Sequence, residues 1–368
     1  MIRYGLIGTG MMGHEHIRNL ALLEDVEITG LADPDETMLQ SALKEQGNTA
    51  KAFTDFRELI SADVCDAYLI ASPNDLHHET LLALMPSNKP ILCEKPMCTT
   101  LDDCRQILNV QRSRSAPLWV AMEYRYMPPV QKLLGEIEAG TTGAPVMMSI
   151  REHRFPFLEK VGDWNRFSKR TGGTLVEKCC HFWDLMRFTL KSDPVRVYAS
   201  AGMDANHLDE RYDGETPDII DNAFVVLDFE NGARGMLDLS MFAEGSYWQE
   251  VISVTGPKAR VDACVPGPAR FSPDGQERTS QIVISDRITK TQETREVHVD
   301  ENILGAGDHH GSTYFQHLKF RDLVKTGNGQ PEVSVYDGLW SVAIGEAAEQ
   351  SAKTGQAVAL DVDSFGAR

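Results

Sequence analysis

Three polar residues at helical spacing, Glu177, His181 and Asp184, lie in a segment that is apolar on most faces, and they could carry out acid–base chemistry. At positions i, i+4 and i+7 they share one face of a helix. A histidine that is oriented by a carboxylate can accept a hydroxyl proton near neutral pH. A structural interpretation also stays open, in which Thr174 and Glu177 form a capping box and His181 only bonds to Glu177.

The turn Glu94-Lys95-Pro96 contains a second chemical candidate, a lysine directly after an apolar run that ends near Cys93. The proline fixes the turn and so restrains the lysine. Ligands of parallel sheets bind beyond the carboxyl ends of the strands. Lys95 is therefore expected at a ligand-binding edge, although an isolated Glu-Lys-Pro would indicate an exposed loop.

The beginning of the chain carries a dinucleotide-binding pattern. An apolar run from Ile2 leads into Gly8, Gly10 and Gly13, the G-x-G-x-x-G spacing, and a helical pattern follows at once. The first glycine permits a tight turn, the second lets the backbone approach a pyrophosphate, and the third lets helix and strand pack closely. The helix N-terminus offers free N–H groups and a partial positive charge to the phosphates.

Asp33 indicates which dinucleotide is bound. It follows a second apolar run, Val26 to Ala32, and lies twenty positions past Gly13. A carboxylate there accepts hydrogen bonds from the 2′-hydroxyl of an adenosine ribose and repels a 2′-phosphate. Since no arginine follows nearby, the sequence favours NAD over NADP. The alternative is a structural turn in which Asp33 is an ordinary loop residue.

Alternating strands and helices in the first third of the chain predict an α/β, doubly wound Rossmann domain. The strands are continuous apolar runs, as in a parallel sheet covered on both faces. Strands are predicted at 2–7, 26–32, 64–71, 90–94 and 118–122, and helices at 11–23, 35–46, 55–60, 75–85 and 101–114. The dinucleotide-binding domain is accordingly assigned to residues 1–122.

Longer strand-like segments follow and predict a second domain over residues 123–368, with an antiparallel sheet and a few helices. Glu230-Asn231-Gly232 joins two of the strands as a hairpin. Strands are predicted at 144–153, 194–202, 219–229, 233–242, 248–255, 258–264, 281–286 and 294–299, and helices at 129–138, 174–190 and 335–353. A further helix opens near residues 308–314, where a polar side chain either reaches the site or only caps the helix.

Composition excludes several classes of function. With 368 residues, 42% hydrophobic and 24% charged, the chain resembles ordinary globular proteins. A formal net charge of −18 argues against nucleic acid and anionic membranes as partners. Neither an apolar run of the ~20 residues that a membrane helix needs nor a signal peptide is visible.

The seven cysteines are odd in number and have no C-x-x-C spacing, which favours reduced thiols and a cytoplasmic location. Cys179, Cys180 and His181 could suggest zinc, but adjacent residues on a helix point to different faces. No metal ion is therefore expected.

Taken together, the motifs resemble those of the Gfo/Idh/MocA family of NAD(P)-dependent sugar and polyol dehydrogenases, over nearly the whole chain. The resemblance rests on Gly8-Thr9-Gly10-Met11-Met12-Gly13, Ser72-Pro73-Asn74 with His77, Glu94-Lys95-Pro96, Trp164, and Gly172-Gly173 followed by Glu177, His181 and Asp184. Each motif is weak alone, whereas their order and spacing are specific.

The resemblance implies a C-terminal α+β domain with a large open, mostly antiparallel sheet, through which subunits form homo-dimers or homo-tetramers. Lys95 looks like the catalytic lysine of the family and His181 like its catalytic histidine. The family usually has aspartate where this chain has Glu177, glycine where it has Cys179, and an apolar residue where it has Lys178. Glu177 is one methylene longer, so its carboxylate could still reach His181 or a substrate hydroxyl.

The implied activity is hydride transfer between a secondary hydroxyl of a sugar, inositol or related polyol and NAD, with His181 as general base. Lys95 would hold the reacting oxygen and stabilise its charge, and Glu177 would orient one of the two. Cofactor contacts are expected from Gly8, Gly10, Met11, Met12, Gly13, Asp33, Ser72, Pro73, Asn74, His77, Glu94 and Lys95, and substrate contacts from Glu123, Arg125, Trp164 and Arg166.

Two other classes of function stay open. A hydrolase of the same superfamily could use tightly bound NAD to oxidise, eliminate and restore a glycoside without net NADH formation. A non-catalytic NAD sensor would bind the dinucleotide and show no turnover.

Overall fold

A computed structural model describes residues 1–327 and 329–361. In its N-terminal part the strands are β1 Ile2–Ile7, β2 Val26–Ala32, β3 Lys51–Phe53, β4 Ala67–Ile70, β5 Ile91–Cys93 and β6 Leu118–Val120. The helices between them are α1 Met11–Ala21, α2 Glu36–Gln46, α3 Phe56–Ser61, α4 His77–Leu84 and α5 Leu101–Gln111. The short strand β3 was missed by the sequence prediction because Lys51–Phe53 is too brief to show a pattern.

The six N-terminal strands form one parallel sheet in the order β3-β2-β1-β4-β5-β6. This order confirms the predicted doubly wound Rossmann domain. Strand β1 lies between β2 and β4. From β1 the chain adds β2 and β3 toward one edge of the sheet, and it then returns to add β4, β5 and β6 toward the other edge. Ligands of such sheets bind at the carboxyl ends of the strands beside this reversal, where the turns after β1, β2, β4 and β5 meet.

The C-terminal part contains a larger sheet with helices on one side. Its strands are β7 Met147–His153, β8 Pro194–Gly202, β9 Asn222–Phe229, β10 Arg234–Ser240, β11 Glu250–Thr255, β12 Ala259–Val265, β13 Ser280–Asp286, β14 Gln292–Val297 and β15 Val358–Ala359. Its helices are α6 Pro128–Glu138, α7 Ser168–Thr171, α8 Thr174–Glu177, α9 Cys180–Leu190, α10 Glu301–Gly305, α11 Ser312–Thr326 and α12 Val335–Thr354.

Within the described residues the C-terminal sheet has nine strands, in the order β14-β13-β12-β11-β7-β10-β9-β8-β15. The predicted mostly antiparallel sheet is confirmed, and the exception is the parallel pairing of β7 with β10. Strands β9 and β10 pair antiparallel, which confirms the predicted hairpin, and Gly232 in their connection has a φ of +82°.

Two C-terminal helices pack back onto the N-terminal sheet. Phe320 of α11 contacts the rings of Tyr4 on β1 and Trp119 on β6. A Cβ at Gly338 of α12 would lie 2.9 Å from Val120 on β6, so this helix lies close against the same sheet. The division at residue 122 stays a prediction, and the final residues 362–368 of the predicted second domain lie outside the described residues.

No helix within the described ranges is long and apolar enough to cross a membrane.

Candidate active site

The glycine-rich turn is shaped to admit a ligand. Gly8 has a φ of +92°, and a Cβ there would lie 2.4 Å from the backbone nitrogen of Ser72. A Cβ at Gly13 would lie 2.5 Å from the carbonyl oxygen of Gly8, so α1 packs tightly under the turn. At Gly10 a Cβ would meet nothing within 4 Å. Because the backbone at Gly10 borders open space beside a helix N-terminus, these residues fit a pyrophosphate.

A cavity of about 830 Å³ extends along this edge of the sheet, which lies within the usual size range of cofactor pockets. Among the predicted cofactor residues, it is lined by Gly8, Gly10, Met11, Met12, Asp33, Ser72, Pro73, Asn74, Glu94 and Lys95. Trp164 lines it too, together with Lys160 and Arg170. The cavity therefore runs from the turn after β2 to a loop of the C-terminal domain.

Asp33 is held in place by the backbone at one end of the cavity. Its Oδ2 accepts hydrogen bonds from the backbone nitrogen of Thr9 at 2.7 Å and from the Thr9 hydroxyl at 3.1 Å. Its Oδ1 accepts one from the backbone nitrogen of Asp35 at 2.9 Å. A fixed carboxylate at this position suits an adenosine ribose.

Arg57 lines the same end of the cavity and was missed by the sequence analysis. Its guanidinium forms an ion pair with Glu79 and lies 3.4 Å from the carboxylate of Asp55. The search for an arginine covered only the residues close behind Asp33, whereas Arg57 comes from helix α3 after another strand. The pairing of β3 with β2 brings α3, and with it Arg57, to the end of the cavity where Asp33 lies.

His77 supports the cavity from behind and does not line it. Its Nδ1 lies 2.8 Å from the carbonyl oxygen of Pro96 and its Nε2 lies 3.0 Å from that of Ser72. The ring is fully buried, and this burial lowers the pKa of His77. It therefore connects the turn after β4 with the turn that carries Lys95.

The predicted single helix over 174–190 is wrong, because the chain breaks between α8 and α9. In an unbroken helix, the carbonyls of Leu175 and Glu177 would accept from amides four residues later. Instead the carbonyl of Leu175 accepts the Trp183 indole N–H at 2.8 Å, and that of Glu177 accepts the Lys95 ammonium at 3.2 Å. Side chains thus take over the backbone acceptors at the break.

The predicted capping box is also wrong. The Thr174 hydroxyl donates to the carbonyl of Ile220 at 2.6 Å rather than closing the helix start. The N-terminus of α8 is capped by Glu349 of α12, whose Oε1 accepts from the backbone nitrogen of Leu175 at 3.0 Å. A Cβ at Gly173 would lie 2.3 Å from that same oxygen, which explains the glycine.

Lys95 contacts the backbone carbonyl of Glu177, whereas Lys160 contacts its carboxylate. The ammonium of Lys160 lies 3.4 Å from Glu177 Oε1 and 4.3 Å from the centre of the Trp164 ring. Burial lowers the pKa of Lys160. Burial alone would also lower the pKa of Lys95, but nearby Cys180 and the carboxylates of Glu94 and Glu177 outweigh it and raise that pKa. Lys95 is thus held as a cation at the cavity.

His181 is oriented by an aromatic ring and not by the predicted carboxylate. Its imidazole stacks on Tyr124 with ring centres 4.4 Å apart and planes 15° apart. Among the described residues, neither His181 Nδ1 nor Glu177 Oε2 has a hydrogen-bond partner. Burial, then the positive charges of Lys95 and Lys178, hold the pKa of His181 well below its usual value. A neutral imidazole can accept a proton.

Two predicted substrate residues are engaged elsewhere. Arg125 is buried and donates to both carboxylate oxygens of Asp184, at 2.7 and 2.6 Å. Asp184 therefore takes part in a structural ion pair rather than in a shared stripe with Glu177. Arg166 is buried as well and donates to Glu210 at 2.9 Å. The structure brings neither arginine into the cavity beside Lys95.

Glu123 belongs to a buried cluster between the two domains. The Thr313 hydroxyl lies between two carboxylates, 2.6 Å from Glu123 Oε2 and 2.9 Å from Glu15 Oε1. His309 Nδ1 lies 2.7 Å from Glu15 Oε1, and its Nε2 lies 3.7 Å from Glu123 Oε1. Burial would lower the pKa of His309, but the carboxylates of Glu123 and Glu15 raise it to about 10. The polar side chain expected from residues 308–314 is thus an imidazolium that joins α1 to the C-terminal domain.

Two family models match the chain. The model described as an oxidoreductase family with an NAD-binding Rossmann fold matches residues 2–122. The model described as the C-terminal alpha/beta domain of an oxidoreductase family matches residues 135–360.

Curated relatives align over most of the chain. A myo-inositol 2-dehydrogenase of Thermotoga maritima is 29% identical over 363 residues, which cover 98% of this chain and 99% of the relative. An inositol 2-dehydrogenase of Ralstonia nicotianae is 27% identical over 252 residues, which cover 68% and 70%.

Solved structures show the same architecture. A probable dehydrogenase from Thermotoga maritima aligns with a TM-score of 0.77 at 26% identity, covering 97% of this chain and 98% of that chain. A levoglucosan dehydrogenase solved with NADH and levoglucosan aligns with a TM-score of 0.80 at 21% identity, covering 98% and 99%. The second likeness concerns the fold alone.

Proposed function

The chain belongs to the Gfo/Idh/MocA oxidoreductase family, and on that premise we propose that it transfers a hydride between NAD and a secondary hydroxyl of a sugar, inositol or related polyol. The observation that carries this proposal is the contact between the Lys95 ammonium and the Glu177 carbonyl. This hydrogen bond joins Lys95, which lines the cavity, to the break between α8 and α9, which lies just before His181. The inositol dehydrogenases among the relatives support a polyol as substrate.

Lys95 and His181 have complementary protonation states in this proposal. The cationic Lys95 donates a hydrogen bond to the substrate oxygen and stabilises the negative charge that develops there. The neutral His181 removes the hydroxyl proton. NAD, when bound by the glycine-rich turn and Asp33, supplies the hydride acceptor. Two groups with pKa values displaced in opposite directions form a common acid–base arrangement.

Glu177 acts mainly through its backbone and through Lys160. Its carbonyl orients Lys95, and its carboxylate holds Lys160 over the face of Trp164 at the mouth of the cavity. Trp164 lines the cavity, and in this proposal its ring contacts the apolar face of the substrate's sugar ring. Glu123 is assigned an indirect role, since its carboxylate is occupied by Ser312 and Thr313.

The test is NADH formation by the purified protein with a panel of inositols, aldoses and 1,6-anhydro sugars. The Lys95→Ala and His181→Ala variants should each lose at least about a hundredfold in kcat/KM, as removal of a proton-transfer or charge-stabilising group does. A substrate deuterated at the reacting carbon should be oxidised more slowly.

Exposed residues of the same types provide the controls. Lys132→Ala and His298→Ala, both at exposed positions, should leave turnover unchanged. Near-normal turnover of the Lys95 and His181 variants on the best substrate contradicts the assigned roles. Release of an aryl leaving group with retained cofactor would identify a glycoside hydrolase, and tight NAD binding without turnover on any substrate would identify a sensor.

We also propose that subunits associate through the open face of the large sheet. Exposed apolar side chains cluster there on three adjacent strands, with Tyr198, Val226 and Met236 aligned across β8, β9 and β10. Phe224 beside them is 62% exposed. Contiguous apolar patches of this kind usually mark interfaces. All seven cysteines are buried free thiols, which supports a reducing compartment such as the cytoplasm.

A further inference from the structure

We propose that Tyr124 and Lys178 are positioning residues for His181: the tyrosine ring fixes the plane of the imidazole, and the ammonium group, anchored by Glu152, places a positive charge beside it. This inference rests on the proposed function, in which His181 is the base. It accounts for a lysine at a position where the family usually has an apolar residue.

Tyr124 contacts His181 over a full ring face. The two rings are almost parallel, with centres 4.4 Å apart, and Phe182 meets the tyrosine edge-on with ring centres 5.6 Å apart. The phenol hydroxyl donates to Glu250 Oε1 at 2.6 Å and accepts from the Lys178 ammonium at 2.9 Å. Since both its ring and its hydroxyl are held, Tyr124 is a fixed platform for the imidazole.

Lys178 is buried, and two glutamates lie on its side of the sheet. Glu152 on β7 and Glu250 on β11 lie directly opposite each other in the sheet, an arrangement that is unfavourable for two like charges. Glu152 and Glu250 are almost fully buried. The Lys178 ammonium lies 2.9 Å from Glu152 Oε1 and reaches Glu250 through the tyrosine hydroxyl. The lysine thereby compensates the buried acids and links them to Tyr124.

No other described group takes over the orienting role. Glu177, the carboxylate expected to orient His181, is directed toward Lys160, and His181 Nδ1 has no hydrogen-bond partner among the described residues. Stacking on Tyr124 is therefore the contact that we infer to fix the orientation of the His181 imidazole. A misplacement of about 1 Å at a catalytic group can cost about a hundredfold in rate.

Cationic groups face His181 from four elements. Lys95 comes from the turn after β5, Lys178 from the α8–α9 break, His309 from the segment before α11, and Arg154 from the end of β7. Burial lowers the pKa of His181 most, and all four cations lower it further. Removal of the Lys178 charge should raise this pKa, because one fewer positive charge opposes protonation of the imidazole.

The first experiment follows the protonation of His181 by NMR in the full-length protein with NAD, using ring-labelled histidine and His181→Asn for assignment. In the wild type the imidazole should stay neutral to well below the usual titration range of histidine. In Lys178→Met its titration midpoint should move upward by about one pH unit, and in Lys178→Arg it should stay near the wild-type position. Lys178→Met combined with Glu152→Gln leaves no unpaired carboxylate at position 152, and it should move the midpoint upward by less than Lys178→Met alone, because losing the Glu152 charge lowers the pKa of the imidazole.

The second experiment separates orientation from charge by steady-state kinetics. Tyr124→Phe keeps the stacked ring and should retain kcat within about threefold, whereas Tyr124→Leu should lose about tenfold or more in kcat. The KM for NAD should be unchanged in both, because Tyr124 does not line the dinucleotide cavity. In Lys178→Met the acid limb of the kcat–pH profile should move to higher pH.

The proposal is overturned if Lys178→Met leaves the His181 titration at its wild-type position, or if folded Tyr124→Leu turns over at the wild-type rate. The NMR experiment needs no substrate. If the wild-type protein oxidises nothing in the panel, the proposed function fails, while the NMR titration still decides whether Lys178 controls the imidazole.

Discussion

The carboxylate of Asp33 is held in a fixed orientation. Two backbone N–H groups and the Thr9 hydroxyl hold its carboxylate, so hydrogen bonds to a ribose would form without reorientation. Arg57 at the same end of the cavity already has carboxylate partners in Glu79 and Asp55. An arginine with such partners is a weaker site for a 2′-phosphate than a free one, which supports the choice of NAD.

At the residue scale we therefore predict a preference for NAD that depends on Asp33. The wild type should use NAD with at least about tenfold higher kcat/KM than NADP. The Asp33→Asn variant should have a kcat/KM for NAD that is about ten- to hundredfold lower than the wild type, because hydrogen bonds to a charged group are lost. Steady-state kinetics with both cofactors measures the ratio. Asp35→Asn is the matched control, because asparagine caps α2 about as well as aspartate.

Equal use of both cofactors by the wild type, or an unchanged ratio in Asp33→Asn, contradicts this prediction. Arg57→Gln should leave the use of NAD unchanged. A loss of NADP activity in that variant would show that the arginine contacts the 2′-phosphate.

The break between α8 and α9 is the element on which the candidate site depends. It frees the Glu177 carbonyl for Lys95 and sets the direction in which His181 emerges. Helix α12 supports it from behind, since Glu349 caps α8 and the backbone of α12 approaches at Gly345. A Cβ at Gly345 would lie 2.6 Å from the Leu175 carbonyl oxygen and 2.8 Å from the Val176 Cα.

At the element scale we predict that Gly345→Ala disturbs both stability and activity. The added methyl group meets backbone that cannot move aside freely, and overpacking of this kind costs about 1–3 kcal/mol. The free energy of unfolding from urea titration should fall by that amount, and kcat should fall because α8 is displaced. Gly135→Ala in α6 is the control, since its Cβ would meet nothing within 4 Å.

The Gly135→Ala control should change the free energy of unfolding in the opposite direction. Alanine is preferred to glycine in a helix interior by about 0.5–1 kcal/mol, so Gly135→Ala should stabilise the protein slightly and leave kcat unchanged. If Gly345→Ala stabilises the protein as much as Gly135→Ala does, the result contradicts close packing of α12 against α8.

The large sheet determines the shape of the whole molecule and leaves one of its faces open. Its inner face packs against α9 and α12, with Val225, Leu227 and Leu237 fully buried. The alternate side chains of the same strands face outward and include apolar residues. A strand with apolar residues on both faces is expected where each face is covered.

At the scale of the whole molecule we predict a homo-oligomer that depends on this outward face. Val226→Glu and Phe224→Glu should each shift the mass measured by light scattering toward the monomer, because a charge would be buried without a partner. Ile288→Glu is the control, since Ile288 is an exposed apolar residue between β13 and β14, at the other end of the sheet from β8, β9 and β10. A monomeric wild type, or equal masses for all variants, contradicts the prediction.

The sequence alone determined the Rossmann domain, the order of its helices and of five of its six strands, the glycine-rich turn, and the candidates Lys95 and His181. These depend on local patterns: apolar runs, glycine spacing, and the rule that ligands bind where parallel strands end. The mostly antiparallel sheet was also predictable, since its strands are long and joined at a recognisable hairpin.

Only the tertiary structure decided which side chains meet. Residues distant in sequence occupy the acceptors that a regular helix would have used: Lys95 takes the Glu177 carbonyl, and Glu349 replaces the predicted capping box. Asp184 shares helical spacing with His181, yet it pairs with Arg125. Periodicity shows which face of a helix a residue occupies, but the partner on that face is set by packing between elements. For the same reason, Tyr124 and Lys178 emerge as partners of His181 only in three dimensions.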